Sequence, residues 1–191
     1  MTKKVWKPST LLNPVPVVLV TCSDKKGNDN VFTVAWTGTI NTKPPMLSIS
    51  VRKSRHSYEM IKETGEFVVN LTTEKMAFAT DLCGVKSGKD IDKFKEAKLT
   101  KEKASMVNAP IIKESPVSLE CKVEKIIELG SHDMFIAKIL ATNVDENLVD
   151  ENDKLNLDKA NLICYSHGEY WSLNKQLGYF GYSVNKTGRK K

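Results

Sequence analysis

Residues 50–57 read SVRKSRHS. Arg52, Lys53 and Arg55 stand beside His56 and the hydroxyls of Ser50, Ser54 and Ser57. That donor set can hold an anion, and a phosphate above all. A phosphate wants hydroxyls, free backbone N–H groups and a cation, and a helix N-terminus supplies the last two of these partly through its dipole. Upstream, MLSISVR alternates as a strand; downstream, SYEMIKET has the pattern of a helix. The cluster therefore lies where a strand hands over to a helix. Ser50 and Arg52 share one strand face, and Ser54, His56 and Ser57 fall where the helix starts. A solvated strand end beside a capped helix would carry the same residue types.

A second set of donors lies in FTVAWTGTIN, residues 32–41. Thr33, Thr37, Thr39 and Asn41 alternate with Phe32, Val34, Trp36 and Gly38. Threonines on one strand face also suit an ordinary solvent-facing strand, and Trp36 alone would suit a core. Joined to the first cluster, these residues would line a pocket that is polar on one side and aromatic on the other. Such a pocket fits a flat, phosphorylated aromatic ligand.

Other motifs carry no chemistry. Ser131, His132 and Asp133 are consecutive, so an extended chain sends them to alternating faces and they cannot form a triad. DENLVDEND lacks the glycine that a calcium loop needs at its sixth position. No GxGxxG is present, so a nicotinamide nucleotide would bind without a Rossmann fold. The four cysteines, Cys22, Cys83, Cys121 and Cys164, show no CxxC pair and no histidine at finger-like spacing. They read as free, packed thiols in a reducing, cytoplasmic setting, with no metal site.

The elements that must position the clusters follow from periodicity. Residues 15–22 read as a buried strand and 31–38 as a second, joined by the polar turn 23–30 into a hairpin. Residues 46–52 form a third strand. Residues 57–64 form a helix with Ser54 or Ser57 as N-cap and Gly65 after its end. Residues 66–72 form a fourth strand and 74–83 a helix, followed by a glycine-containing loop into a short helical turn. The stretch 96–114 is polar and irregular. VSLECKVEKIIEL and MFIAKILATNV make a long hairpin about the turn 130–133, and 160–166 is the last strand before EYWSL. Hairpins dominate and no β-α-β alternation appears. The expectation is a mainly β, antiparallel barrel with short helical insertions.

The chain has 191 residues, enough for one domain with its own core, and a net charge of +6. Much of the excess charge sits at the ends, where Lys186, Arg189, Lys190 and Lys191 suggest a flexible basic tail from about residue 183. Away from residues 50–57 no cation cluster is interleaved with aromatics, so no nucleic-acid partner is expected. No apolar run reaches the roughly 20 residues of a membrane span. Tyr170, Trp171, Tyr179, Phe180 and Tyr182 read as packing for the C-terminal segment, against the body or a partner, more than as a base-stacking strip.

PPMLSISVRKSRHSYEMIKETGEFVVNL, preceded by NVFTVAWTG and followed by CGVKSGKDIDKF, resembles the flavin reductase-like family, and within it the flavoredoxins. The likeness runs from Pro14 to about Trp171. It implies a homodimer of FMN-binding split barrels, with FMN held non-covalently near the dimer interface. The phosphate would meet Ser50, Arg52, Ser54, His56 and Ser57, with Val51 between them and Thr37, Gly38 and Thr39 on the neighbouring strand. Trp36 would lie against the isoalloxazine, and Asn30 and Thr33 near the ring or ribityl chain. Cys83, Gly84, Ser87 and Gly88 would form a loop against the ring. Lys93 would approach the ring, where a cation raises the flavin's potential. His132 and Tyr165 match flavin-contacting positions; position 165 is often Phe in the family, and tyrosine keeps the ring. The resemblance implies electron transfer, either as an NAD(P)H:flavin oxidoreductase or as an FMN carrier served by a protein donor.

Overall fold

The computed structural model describes residues 1–184. The basic stretch from residue 185 onward, which includes most of the tail expected to be flexible, lies outside the described residues. The strands are β1 (Val15–Pro16), β2 (Val18–Ser23), β3 (Asp29–Val34), β4 (Thr37–Thr42), β5 (Pro45–Val51), β6 (Glu66–Leu71), β7 (Lys101–Glu102), β8 (Ile111–Ile112), β9 (Val117–Glu128), β10 (Asp133–Val144), β11 (Ile163–Ser166) and β12 (Glu169–Ser172). The helices are α1 (His56–Thr64), α2 (Ala77–Val85) and α3 (Lys93–Glu96).

Seven strands form one antiparallel sheet in the order β3-β2-β6-β9-β10-β5-β4. Its two edge strands, β3 and β4, are joined by only Ala35 and Trp36. In a flat sheet those edges would lie about 29 Å apart. The link from Val34 to Thr37 spans at most about 11 Å. The sheet must therefore curl until its edges meet, and the barrel follows from the topology. The corner is a tight one: Thr37 N–H donates to Ala35 O at 3.1 Å, and Ser50 N–H donates to Trp36 O at 2.9 Å.

This corner departs from the single strand read over 31–38. The threonine alternation runs straight through it, but the chain leaves its partner β2 at Val34 and pairs with β5 from Thr37. The strand read over 15–22 is likewise two. Val15 and Pro16 pair with β11 in a separate three-stranded sheet, and β2 enters the large one. All six residues of β2 are buried, because one of its faces meets the barrel core and the other meets helices. That explains why Val18, Leu19 and Val20 are apolar on both faces, while the buried Thr21 and Ser23 donate to Pro110 O and Asn108 O.

The barrel interior holds Val18, Val20, Phe32, Val34, Ile49, Val51, Phe67, Val69 and Phe135. Helix α1 closes one end, adding Tyr58, Met60 and Ile61 to the same core. Outside the barrel, α2, α3 and the turn before α2 cover Leu19 and Val31 with Met76, Ala79, Cys83 and Phe94. Gly65 ends α1 in the left-handed region at φ 69°, and its N–H donates to Ile61 O at 2.8 Å, a geometry that favours glycine. Strand β11, read as 160–166, starts three residues later, because Asn161 adopts φ 52° ahead of it, and EYWS beyond it forms a further strand, β12. Among the described residues no helix is long and apolar enough to cross a membrane.

Candidate functional site

The β3–β4 corner, the end of β5 and the β9–β10 turn surround a cleft of about 350 Å³. Trp36, Thr33, Ser50, Arg52, His132 and Tyr165 line it. A second hollow of about 180 Å³ opens beside it, bounded by Ser54, His56, Ser57, Lys86 and Ser87. The two share Phe32, Arg52 and Arg55, so one ligand can run from the aromatic end to the cationic end. The larger hollow has a typical size for a small-molecule site.

The cationic end combines three local features. Strand β5 alternates, so Leu47, Ile49 and Val51 enter the core and Ser48 and Ser50 face outward. Arg52 continues that outward face, and Val51, buried at 2% exposure, has mainly its backbone to offer a ligand. The chain then turns, with Arg55 N–H donating to Arg52 O at 3.0 Å, and α1 begins. Its N-cap is Arg55, with no side-chain cap; neither Ser54 nor Ser57 takes that role. Ser57 is buried instead and accepts from Asn30 Nδ2 at 2.7 Å. Tyr58 N–H donates to Arg55 O at 3.0 Å, the N–H groups of His56 and Ser57 ahead of it have no side-chain cap, and among the described residues the side chains of Ser50, Arg52, Ser54 and His56 have no hydrogen bond or ion pair. Free donors and a free guanidinium at a helix N-terminus make an anion site.

The aromatic end is built by two strands. Trp36 stands at the corner, 38% exposed. Tyr165 lies on β11 and packs edge-to-face on Tyr170 at 5.9 Å. Tyr170 Oη in turn donates to Asp81 at 3.1 Å. His132 faces the cleft from the β9–β10 turn. Burial, and then the Arg52 and Arg55 guanidinium groups, hold its imidazole below the ordinary value of 6.5. Because unfolding restores that value, the unfolded chain binds more protons just below pH 6.5. Stability should be complete above that pH and fall as the pH drops through the folded-state pKa. Urea midpoints of the flavin-free protein at several pH values should show this slope, and His132→Asn should flatten it.

Arg55, part of the donor set read from the sequence but not among the residues the resemblance assigns to FMN, also lines both hollows. Its Nη1 donates to Gly84 O at 3.1 Å, and Lys93 Nζ donates to the adjacent carbonyl, Cys83 O, at 2.8 Å. Two cations therefore hold the last turn of α2, where carbonyls lack partners and the dipole is negative. Lys93 is buried at 4% exposure, and burial lowers its pKa. With Asn30 and Gly88 it lines a different hollow, and not the cleft beside Trp36 where it was expected to approach the ring.

The structure thus gathers Thr33, Trp36, Ser50, Val51, Arg52, His132 and Tyr165 around the larger hollow, and Ser54, His56, Ser57 and Ser87 around the smaller one that Arg52 also lines. Cys83 and Gly84 lie behind them in α2, where Thr33 Oγ1 donates to Thr80 O and Gly84 packs against the Thr33 side chain. Thr37 spends its hydroxyl proton on Ser48 O at 2.8 Å. Gly38 and Thr39 follow it along β4, away from the cleft. Burial pushes the Cys22 thiol to about 12 and the Cys83 thiol to about 11, so neither offers a thiolate at neutral pH.

Gly88 is a close approach. A Cβ there would sit 2.2 Å from Asn30 Oδ1. Asn30 is buried at 5% exposure and bonded to Ser57, so Gly88→Ala must displace it. The variant should lose about 1–3 kcal/mol, the cost of an unmade buried hydrogen bond. An unchanged melting temperature would show that Asn30 moves freely.

Known proteins share this architecture. A family model described as a flavin reductase like domain matches residues 11–173. An uncharacterized protein of Aquifex aeolicus is 30% identical over 166 residues, covering 84% of this chain and 85% of its own length. The structure of the flavoredoxin of Desulfovibrio vulgaris superposes with a TM-score of 0.89 at 28% identity, covering 96% of this chain and all of that one. A split-barrel structure from Shewanella frigidimarina matches with a TM-score of 0.80 at 24% identity over 89% of this chain and 88% of its own, a likeness of fold. By the match of nearly its whole length to one family model, and by a barrel built in the same way, the chain is a split-barrel protein that belongs to the flavin reductase-like family.

Proposed function

We propose that the chain is an FMN-binding electron-transfer protein that works as an NAD(P)H:flavin oxidoreductase of the flavoredoxin kind. The observation that carries this reading is Arg52, unpaired among the described residues, at an uncapped helix N-terminus and one cleft away from Trp36 and Tyr165. A phosphate with a flat ring system at the far end of a short polar chain matches that arrangement. The likeness to a flavoredoxin supports it.

The residues present fit FMN. Arg52, Ser54, His56 and the first N–H groups of α1 would hold the phosphate. Ser50 and Thr33 line the larger hollow and would face the ribityl chain. Trp36 and Tyr165 would flank the ring, and His132 would approach it as a neutral imidazole able to donate or accept one hydrogen bond. When bound, FMN supplies the redox chemistry. The chain would orient it and screen part of it from water. Trp36→Ala should change the visible spectrum of bound FMN and loosen the ring while the phosphate contacts persist. An unaltered spectrum and affinity would remove Trp36 from the site.

The reading includes a homodimer. Large apolar side chains at both ends of the chain, among them Trp6, Leu12, Leu177 and Phe180, are exposed in the single chain, and such surface favours burial against a partner. Four free cysteines suit a reducing cytoplasm. The test of the activity is rapid mixing of the FMN-loaded protein with NADH or NADPH. The absorbance near about 450 nm, where oxidised flavin absorbs, should fall within turnover time. If neither nucleotide lowers it while a reduced protein donor does, the chain is an FMN carrier instead.

A further inference from the structure

Asp133 is fully buried, at 0% exposure, in the first position of β10. Its backbone pairs with Val51, the last residue of β5. Its Oδ2 accepts from Tyr58 Oη of α1 and lies 3.5 Å from Lys53 Nζ. Its Oδ1 finds no partner among the described residues. One residue therefore grips both ends of the segment 52–57. Val51 enters that segment, Lys53 lies inside it, and Tyr58 leaves it.

A buried carboxylate with an unused oxygen is a costly choice for filling space, since an apolar residue of the same size would stabilise a barrel better. Tyr58 is matched to the same task. It is 3% exposed, its ring meets Phe135 edge-to-face at 5.5 Å, and Lys62 lies 5.6 Å over its ring centre. Its hydroxyl is held high, to about 12, by the bond to Asp133 and then by burial, so it donates across the working pH range. The charges facing this pair are Lys53, Lys62, Glu59 and Glu128, and Lys53 also meets Glu128 at 3.3 Å.

We propose that Asp133, through Tyr58, is a positioning residue that sets the spacing between the Arg52 guanidinium and the N-terminal N–H groups of α1, and so tunes the chain's grip on the phosphate end of its ligand. The neighbour of Asp133, His132, in the turn just before β10, lines the cleft. This inference rests on the phosphate lying at that corner.

The test compares two ligands that differ only in the phosphate, FMN and riboflavin, by fluorescence titration of flavin-free protein. Tyr58→Phe keeps the ring in the core and deletes one oxygen. FMN should bind about tenfold more weakly, the order of one hydrogen bond in geometry, while riboflavin affinity stays within about twofold. Asp133→Asn keeps the shape, removes the charge and should show the same selective loss, so it carries the test if the first variant fails to fold. Parallel loss of both ligands, or loss of neither, overturns the proposal. Arg52→Ala is measured alongside. If it too fails to separate FMN from riboflavin, the placement of the phosphate is wrong. If it separates them and the Tyr58 and Asp133 variants do not, the positioning role alone is wrong.

Discussion

Replacing Arg52 and Ser54 together with alanine should weaken FMN binding by about 2–5 kcal/mol, through the loss of one charge-assisted contact and one hydroxyl donor to the same phosphate. Neither side chain has a partner within the described chain, so removing them frees no buried group and should leave the fold intact. The melting temperature of the flavin-free variant should therefore match the parent. The loss should shrink at high salt, since an exposed guanidinium is screened over roughly 8–10 Å at physiological ionic strength. Titration at two salt concentrations reads both effects. An affinity within a factor of two of the parent would move the phosphate elsewhere.

Phe135→Ala should act on stability with comparable size. Phe135 is fully buried in the barrel core, cross-strand from Ile49 on β5 and Ile126 on β9. Truncating it removes a large apolar volume from a closed cylinder that cannot collapse onto the gap, at a cost of about 3–5 kcal/mol. That is a large share of the about 5–15 kcal/mol that usually separates a folded domain from its unfolded state. The ring also supports Tyr58, so the surviving folded fraction should bind FMN less well than its stability alone predicts. Urea unfolding measures the first effect. A destabilisation below about 1 kcal/mol would mean that the core repacks around the gap.

Much of the scaffold was legible because burial writes itself into period. Strand β5 shows it plainly, with Leu47, Ile49 and Val51 in and Ser48 and Ser50 out. The β9–β10 hairpin and helix α1 with its Gly65 end were equally readable. The corner at Ala35 and Trp36 was not, since Thr33, Thr37 and Thr39 keep one alternation while the chain changes partner from β2 to β5. A local pattern cannot report which strand lies alongside. Likewise nothing in SVRKSRHS separates Arg52, which faces the cleft unpaired, from Arg55, which reaches Gly84 O on a helix 29 positions away in sequence. The resemblance brings Lys93 toward the ring, but its burial against Cys83 O depends on how α3 folds back over β3. Tertiary contacts assign those roles, and spacing does not.

The central claim is that the cleft between Arg52 and Trp36 holds FMN. Titrating the flavin-free protein with FMN, followed by flavin fluorescence and by dialysis, tests it most directly. The account predicts saturation at one FMN per chain and a clear preference for FMN over riboflavin. A chain that leaves flavin fluorescence unchanged and releases all added FMN on dialysis would contradict it.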